Sequence, residues 1–401
     1  MHWGRRPAAP TLGPMTITDE PRTHLSHGSV LDSLVERAAD LAPVLREHAG
    51  RHDVEGTFVS ESIDALRGAG LLAAGVPTEL GGLGGDNRDL AALQRELAHH
   101  CGSTALATSM HQHVVCFTAW RYRRGLPGAE ATLRRVAEEG IVLVSTGGGD
   151  WTHPRGTAVR VEGGFRVSGT KRFASQSVAG TAMSTMATYD DPEEGLRVLN
   201  LAVPFASDGV RVSDNWDTLG MRGTASNDVV LDDVFVPDER VLANRPYGVI
   251  DPPLQVIGSV AFPIVSAVYL GVAEAAFAAA VDAARSRADD PTVRRQVGLM
   301  QHRLQVASWT LDGVFDLVGP DPQPSAETLA AVMIAKREIA LAGIEVCDLA
   351  MDVAGGSAFF RGSVVERCYR DIRAAKFHPT TPEDTLLLAG ERAFTLPGDP
   401  S

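Results

Sequence analysis

The chain has 401 residues, of which 44% are hydrophobic and 22% charged, and a formal net charge of −13. This is a globular composition, long enough for two or three domains, and its acidic surface argues against nucleic acid as a partner. No apolar stretch free of polar residues or proline reaches the ~18 residues of a membrane span, and four cysteines without CxxC spacing (Cys101, Cys116, Cys347, Cys368) form neither a disulfide framework nor a metal site, which points to a reducing cytoplasm.

Residues 1–25 hold three arginines, two of them in the first fourteen residues, but no apolar run, so they do not read as a signal peptide. They read instead as a disordered tail, or as sequence ahead of a start at Met15. From Ser29, Leu31, Leu34, Val35, Ala38, Leu41 and Leu45 recur at three- and four-residue steps, the period of an amphipathic helix. Helical segments follow at 60–72, 88–100, 103–120 and 128–139. At Ile141 the period changes. IVLVSTG, TAVRVEGGFRVSGTKRF, AMSTMATYD, RVLNLAVP, VRVSDNW and DVVLDDVFVP are short, Val-rich and bounded by Gly or Asp, with a hairpin expected at Glu162-Gly163-Gly164. After Pro252 three long, Ala-rich helical segments return. The order predicts an α+β chain with an N-terminal helical domain (26–140), a middle β domain (141–245) and a C-terminal helical bundle (246–395). The long helices carry apolar faces wider than one bundle seam needs, which predicts packing against other subunits. No GxGxxG follows a strand and no P-loop is present, so neither nucleotide fold is supported.

Four segments, in this order, resemble the acyl-CoA dehydrogenase superfamily: GVPTELGGLGG (75–85), VSGTKRFASQS (167–177), WDTLGMRGTASNDVVLDDVFVP (216–237) and AGGSAFFRGSVVERCYRDIRAAKF (354–377). The resemblance implies an N-terminal helical domain, a middle β-barrel, a C-terminal four-helix bundle, a homotetramer and a flavin, FAD with FMN as the alternative. It places Phe173 along the isoalloxazine and Ser175 near its N5 atom. Gly355 and Gly356 would let the cofactor's diphosphate or adenosine approach the backbone, although the pair reads equally as a helix cap. The family's flavin loop is here Ser145-Thr146-Gly147-Gly148-Gly149-Asp150-Trp151, still rich in backbone N–H groups. The family's diphosphate arginine is replaced by ARSRADDPTVRRQVG, in which Arg285 or Arg287 would serve.

The family's dehydrogenation removes the α-proton of an acyl thioester with a carboxylate while hydride passes to the flavin. The common position of that carboxylate, nine residues after Arg370, is Pro379; the alternative position is Ala261. Glu383 lies slightly beyond and would reach in only through a rebuilt loop. His378, in KFHPTTPEDT, resembles the histidine of flavin-dependent monooxygenases of the same fold, where it helps hold oxygen at the flavin. His111 is a further acid/base candidate, or a buried hydrogen-bonded histidine. His111 and His113 stand two apart on a helix and share no face, so a metal pair is rejected, as is His99-His100-Cys101. Arg222 is expected to fix a β-domain loop, Arg370 and Asp371 to pair with each other, and Trp216 to lie in the core. The leading expectation is α,β-dehydrogenation of a CoA- or carrier-bound acyl thioester. The alternative is a monooxygenase using reduced flavin and O2, and the partner is an electron-transfer flavoprotein or a flavin reductase accordingly.

Overall fold

Pro43 splits the first helix. Proline has no N–H to give and sits most easily in a helix's first turn. The apolar repeat from Ser29 is therefore carried by α1 (Gly28–Asp40) and α2 (Ala42–Glu55), with Pro43 in the first turn of the second. The computed structural model describes residues 28–146 and 148–394; the readings of residues 1–25 and of Gly147 lie outside the described residues. α3 (Ser60–Gly68) stops short of residue 72 because Gly70 turns left-handed at φ 73°, and 71–73 form a 3-10 turn. α4 (Asn87–His100) opens on a capping box. Asp86 accepts from the amides of Arg88 and Asp89, and Asp89 accepts from that of Asp86. α5 (Gly102–Arg123) and α6 (Ala129–Glu139) follow.

The Val-rich stretch forms β1 (Leu143–Ser145), β2 (Thr157–Val161), β3 (Gly164–Ala174), β4 (Ala182–Asp191), β5 (Gly195–Pro204), β6 (Val210–Val212), β7 (Asn227–Pro237) and β8 (Val241–Pro246). β2 and β3 make the hairpin read from Glu162–Gly164, with Gly163 at φ 76°. The strand order is β6-β7-β3-β2-β4-β5-β8, with β1 parallel to β4. The end strands β6 and β8 do not pair, yet Val229 and Leu231 of β7 share a core with Leu199 and Leu201 of β5. The sheet therefore curls around its own interior, and two register shifts in β3, at Val167/Gly169 and Lys171/Ala174, help it bend.

α7 (Pro252–Ala283), α8 (Pro291–Val318) and α9 (Ala326–Ala354) begin at Asp251, Asp290 and Ser325, whose side chains accept from first-turn amides. α10 (Val364–Asp371) and α11 (Pro382–Phe394) end the described chain. By length and composition α7 is apolar enough to cross a membrane, which reading residue by residue did not suggest. However, 94% of its most apolar window is buried, against α4, α5 and α9. A helix that is apolar all round needs protein or lipid on every side, and here protein supplies it. One core consequently runs from Leu34 in α1 through Val268 in α7 to Ala375. All four cysteines are buried and free, and no cluster of metal-ligating side chains occurs among the described residues.

Candidate active site

The bulge at the end of β3 sets the first group of side chains. Phe173 and Gln176 both adopt positive φ, at 62° and 56°, in the left-handed region that a bulky residue enters only under constraint. Phe173 is thereby turned outward, 64% exposed, edge-on to Trp216 at 6.2 Å. Trp216 is thus a half-buried neighbour of Phe173 and not a core residue; its indole N–H donates to the Met221 carbonyl. Ser175 is buried, and its Oγ lies 2.8 Å from Ser226 Oγ, which lies 2.7 Å from Thr224 Oγ1. Three hydroxyls in a chain can pass a hydrogen-bond direction from one end to the other. Gln176 donates from Nε2 to the Leu143 carbonyl while its Oε1 is buried without a partner, a polar atom that calls for a ligand or water.

The loop after β1 is fixed from beneath. Lys171 is among the largest fully buried side chains, and its three donors reach Asp150 (2.9 Å) and the carbonyls of Arg155 and Met186. Burial pushes its pKa down, and the Asp150 carboxylate opposes this. The ammonium thus ties both ends of the 150–155 segment to the sheet. Gly156 must be glycine beside it: at φ 112°, a Cβ there would lie 2.8 Å from the Ser168 carbonyl. Ser145 ends β1 opposite Ser184, and the Thr146 amide donates to the Ser184 carbonyl (3.1 Å). The Thr146 amide is thereby spent, and no hydrogen bond from the amide of Gly148 or Gly149 occurs among the described residues.

The second group comes from the helices. A Cβ on Gly148 would touch Pro379 at 3.4 Å, so the loop carrying His378 lies against the glycine loop. Lys336 of α9, buried, donates to the carbonyls of His378 (2.9 Å) and Thr380 (2.8 Å), and burial pushes its pKa down to about 8. Tyr269 of α7 meets His378 Nε2 at 2.6 Å. Burial, with the nearby charge of Lys336 and then His113, pushes the His378 pKa down to about 3. His113 of α5 donates from Nδ1 to the Ser109 carbonyl (3.0 Å), and burial lowers its pKa to about 4 against that hydrogen bond. Both rings are neutral at pH 7.

The remaining candidates fall elsewhere. His111 uses both ring nitrogens on backbone: Nε2 donates to the Leu72 carbonyl (2.8 Å) and Nδ1 accepts from the Leu143 amide (3.0 Å). Burial pushes its pKa down to about 4. The buried-histidine alternative holds, because neither nitrogen is left for acid/base work. Glu383 is exposed in the first turn of α11. Arg285 is exposed and paired with Asp282 (2.7 Å), whereas Arg287 donates to the Val353 carbonyl. Gly355, at φ 71°, caps α9 by donating to the Met351 carbonyl, and Gly356 faces open space. Arg222 fixes its loop as expected, bonding Asp217 (2.8 Å) and the Asp53 and Thr218 carbonyls. Arg370 pairs with Asp53 and Glu366, not with Asp371, whose carboxylate accepts from the Met221 amide. Sequence reasoning missed Tyr269, Lys336 and Ser226. Tyr269 is hidden in the apolar pattern of α7, and no local spacing marks Lys336.

Helices, a curled sheet and a long-helix bundle, with a glycine loop and a buried hydroxyl chain on the sheet, make up the architecture of a flavin-dependent oxidoreductase. The chain belongs to the acyl-CoA dehydrogenase family: the family's N-terminal domain matches residues 33–123, its middle domain 145–234 and its C-terminal domain 264–382. The amino sugar nitrososynthase DnmZ of Streptomyces peucetius is 30% identical over 90% of this chain and 91% of its own. The putative acyl-CoA dehydrogenase YdbM of Bacillus subtilis (strain 168) is 27% identical over 90% of this chain and 96% of its own. Among solved structures, KijD3 in complex with FMN and dTDP-3-amino-2,3,6-trideoxy-4-keto-3-methyl-D-glucose is 28% identical, with a TM-score of 0.85 over 94% of this chain and 97% of that one.

Proposed function

We propose that this protein is a flavin-dependent monooxygenase that takes reduced flavin and O2 and oxidises the nitrogen of a small amine. The observation that carries the reading is the missing carboxylate. Ala261 and Pro379 occupy the two places where a dehydrogenation base would stand, and Glu383 points to solvent. The titratable groups gathered there are neutral His378 and His113, with Lys336 and Tyr269. A group that takes an α-proton must hold a high-energy lone pair toward substrate, and the His378 nitrogen in contact with Tyr269 is already engaged. The α,β-dehydrogenation expected first from the whole-chain resemblance therefore gives way to its alternative, which the likeness to DnmZ and KijD3 also favours.

The residues fit a flavin. The unpartnered Gln176 Oε1 lies next to Ser175, and the amides of Gly148 and Gly149 make no hydrogen bond among the described residues. Ser175 would present its hydroxyl to the ring, Phe173 its aromatic face, Gly148 and Gly149 their amides, and Gly356, beyond the Gly355 cap, an open backbone at the phosphate end. When bound and reduced, the flavin supplies two electrons to O2, so that one oxygen atom enters the substrate and the other leaves as water. The protein's own part is to hold the ring, to exclude water through the buried Tyr269 and Lys336, and to offer a hydrogen-bond donor from His378 beside it. The flavin is FAD, with FMN, the form in KijD3, as the alternative. A flavin reductase using a nicotinamide supplies the electrons. The exposed apolar side chains Val306, Trp309 and Leu317 of α8 and Leu387 of α11 support a homotetramer.

The test is isotopic. Supply reduced flavin through a reductase, an amino sugar or alkylamine, and 18O2, and read the product by mass spectrometry. One labelled oxygen on nitrogen is expected. Bleaching of the flavin by an acyl-CoA without O2, and with no labelled product, would return the protein to the dehydrogenases.

A further inference from the structure

The contact between Tyr269 and His378 has a direction. Tyr269 is buried, and the 2.6 Å contact to His378 Nε2 is the only hydrogen bond of its hydroxyl among the described residues. A phenol carries one proton. Left undonated in the interior, that O–H would lose its hydration without compensation, so the proton lies in the contact and Nε2 supplies the lone pair. Burial, and then the charge of Asp371, raise the phenol's pKa, which keeps that proton on oxygen. A neutral imidazole that accepts at Nε2 carries its hydrogen on Nδ1. His378 Nδ1 has no partner among the described residues.

The surroundings agree on charge. Lys336 brings an ammonium to the His378 and Thr380 carbonyls, and a cation there disfavours a second cation on the ring. His113 faces the same group and adds no anion. Asp371, the carboxylate whose charge acts on Tyr269, has its Oδ1 on the Met221 amide and makes no hydrogen bond to the phenol.

We propose that Tyr269 is a positioning residue that holds His378 as the neutral Nδ1–H tautomer, so that the histidine serves as a hydrogen-bond donor and is withdrawn as a base. The use of that donor toward oxygen rests on the monooxygenase reading; the tautomer does not.

The test reads the tautomer directly. Label the full chain with 15N-histidine and record long-range 1H–15N spectra with and without oxidised FMN, assigning His378 from the His378→Asn spectrum. The expected pattern is a protonated Nδ1 and a bare, hydrogen-bond-accepting Nε2, unchanged from pH 8 down to pH 5. In Tyr269→Phe the signals should move to a mixture of tautomers, and the ring's titration midpoint should rise by about one pH unit. A wild-type spectrum with Nε2 protonated, or with both nitrogens protonated at pH 6, would overturn the proposal, even if Tyr269→Phe failed to fold. A folded Tyr269→Phe that kept the single Nδ1–H tautomer would overturn the tyrosine's part. The flavin-free spectrum needs no turnover, so failure of the tautomer is distinguishable from failure of oxygen transfer.

Discussion

On one side of α7, Glu274 takes hydrogen bonds from Arg95 (2.8 Å) and His99 (2.8 Å) of α4; about 140° away round the same helix, Tyr269 meets His378. The two histidines end in opposite states. His99 has a carboxylate at each nitrogen, Glu274 at Nε2 and Glu96 at Nδ1 (3.2 Å), and both nitrogens can donate only if the ring is an imidazolium. Burial opposes that charge, but the two carboxylate hydrogen bonds outweigh it, and the pKa is pushed up to about 9. At His378 burial is the largest influence, the neighbouring Lys336 ammonium adds to it and no carboxylate opposes them, so its pKa goes down to about 3. Burial alone does not decide a histidine's charge. What decides it is whether a carboxylate stands at the ring to oppose burial.

Removing the partner on the charged side should give the largest effect. Glu274→Gln leaves the Arg95 guanidinium and the His99 imidazolium without their shared carboxylate, and stability should fall by about 3 kcal/mol in urea unfolding. The His99 titration midpoint should drop below 9 in the same variant. An unchanged urea midpoint would mean that the carboxylate does not hold this junction.

His111 sharpens the comparison from a third direction, since its partners are two backbone groups. His111→Ala strands the Leu72 carbonyl and the Leu143 amide inside the protein, at a cost of about 2 kcal/mol. His378→Ala, with one nitrogen engaged and the ring only half-buried, should cost less than half as much by the same unfolding measurement. Equal losses would erase the distinction between a structural and a site histidine.

The pH dependence should run in opposite directions on the two sides. His99 has its pKa raised above the unfolded 6.5, so its stabilisation is full below pH 6.5 and is lost as pH rises through about 9. With its side chain 32% exposed, the loss should be about 2 kcal/mol, read as wild type minus His99→Asn. His378 has its pKa lowered, so the stability difference between wild type and His378→Asn should fall as pH drops from 6.5 toward 3. Two differences with the same slope would break the contrast.

The smallest effect belongs to Glu383→Gln. An exposed carboxylate in the first turn of α11 should change stability by no more than about 0.5 kcal/mol. Flavin binding, followed by absorbance titration, and turnover should be unchanged. Loss of turnover with flavin still bound would restore Glu383 as the base.

Much of this molecule is legible in local pattern. The change of period at Ile141 and the return to Ala-rich segments after Pro252 give the helix–sheet–helix order, and the two residues before Gly164 give the β2–β3 turn. The motif VSGTKRFASQS marks the bulged strand end at which Phe173 and Ser175 are placed. These features depend on neighbours a few residues apart, where backbone geometry fixes which side chains share a face. The partner at a histidine nitrogen does not. His111 is bound to Leu72 and Leu143, His378 to Tyr269, and Lys171 bridges Asp150, Arg155 and Met186, all joined only when α5, α7, α9 and the sheet are packed. The sequence therefore determined the fold and the place of the flavin-type motifs, because hydrophobic period and turn chemistry are local. Tertiary structure alone decided which histidine is charged, which is neutral and which is spent on backbone, because proton affinity follows contacts between segments far apart in the chain.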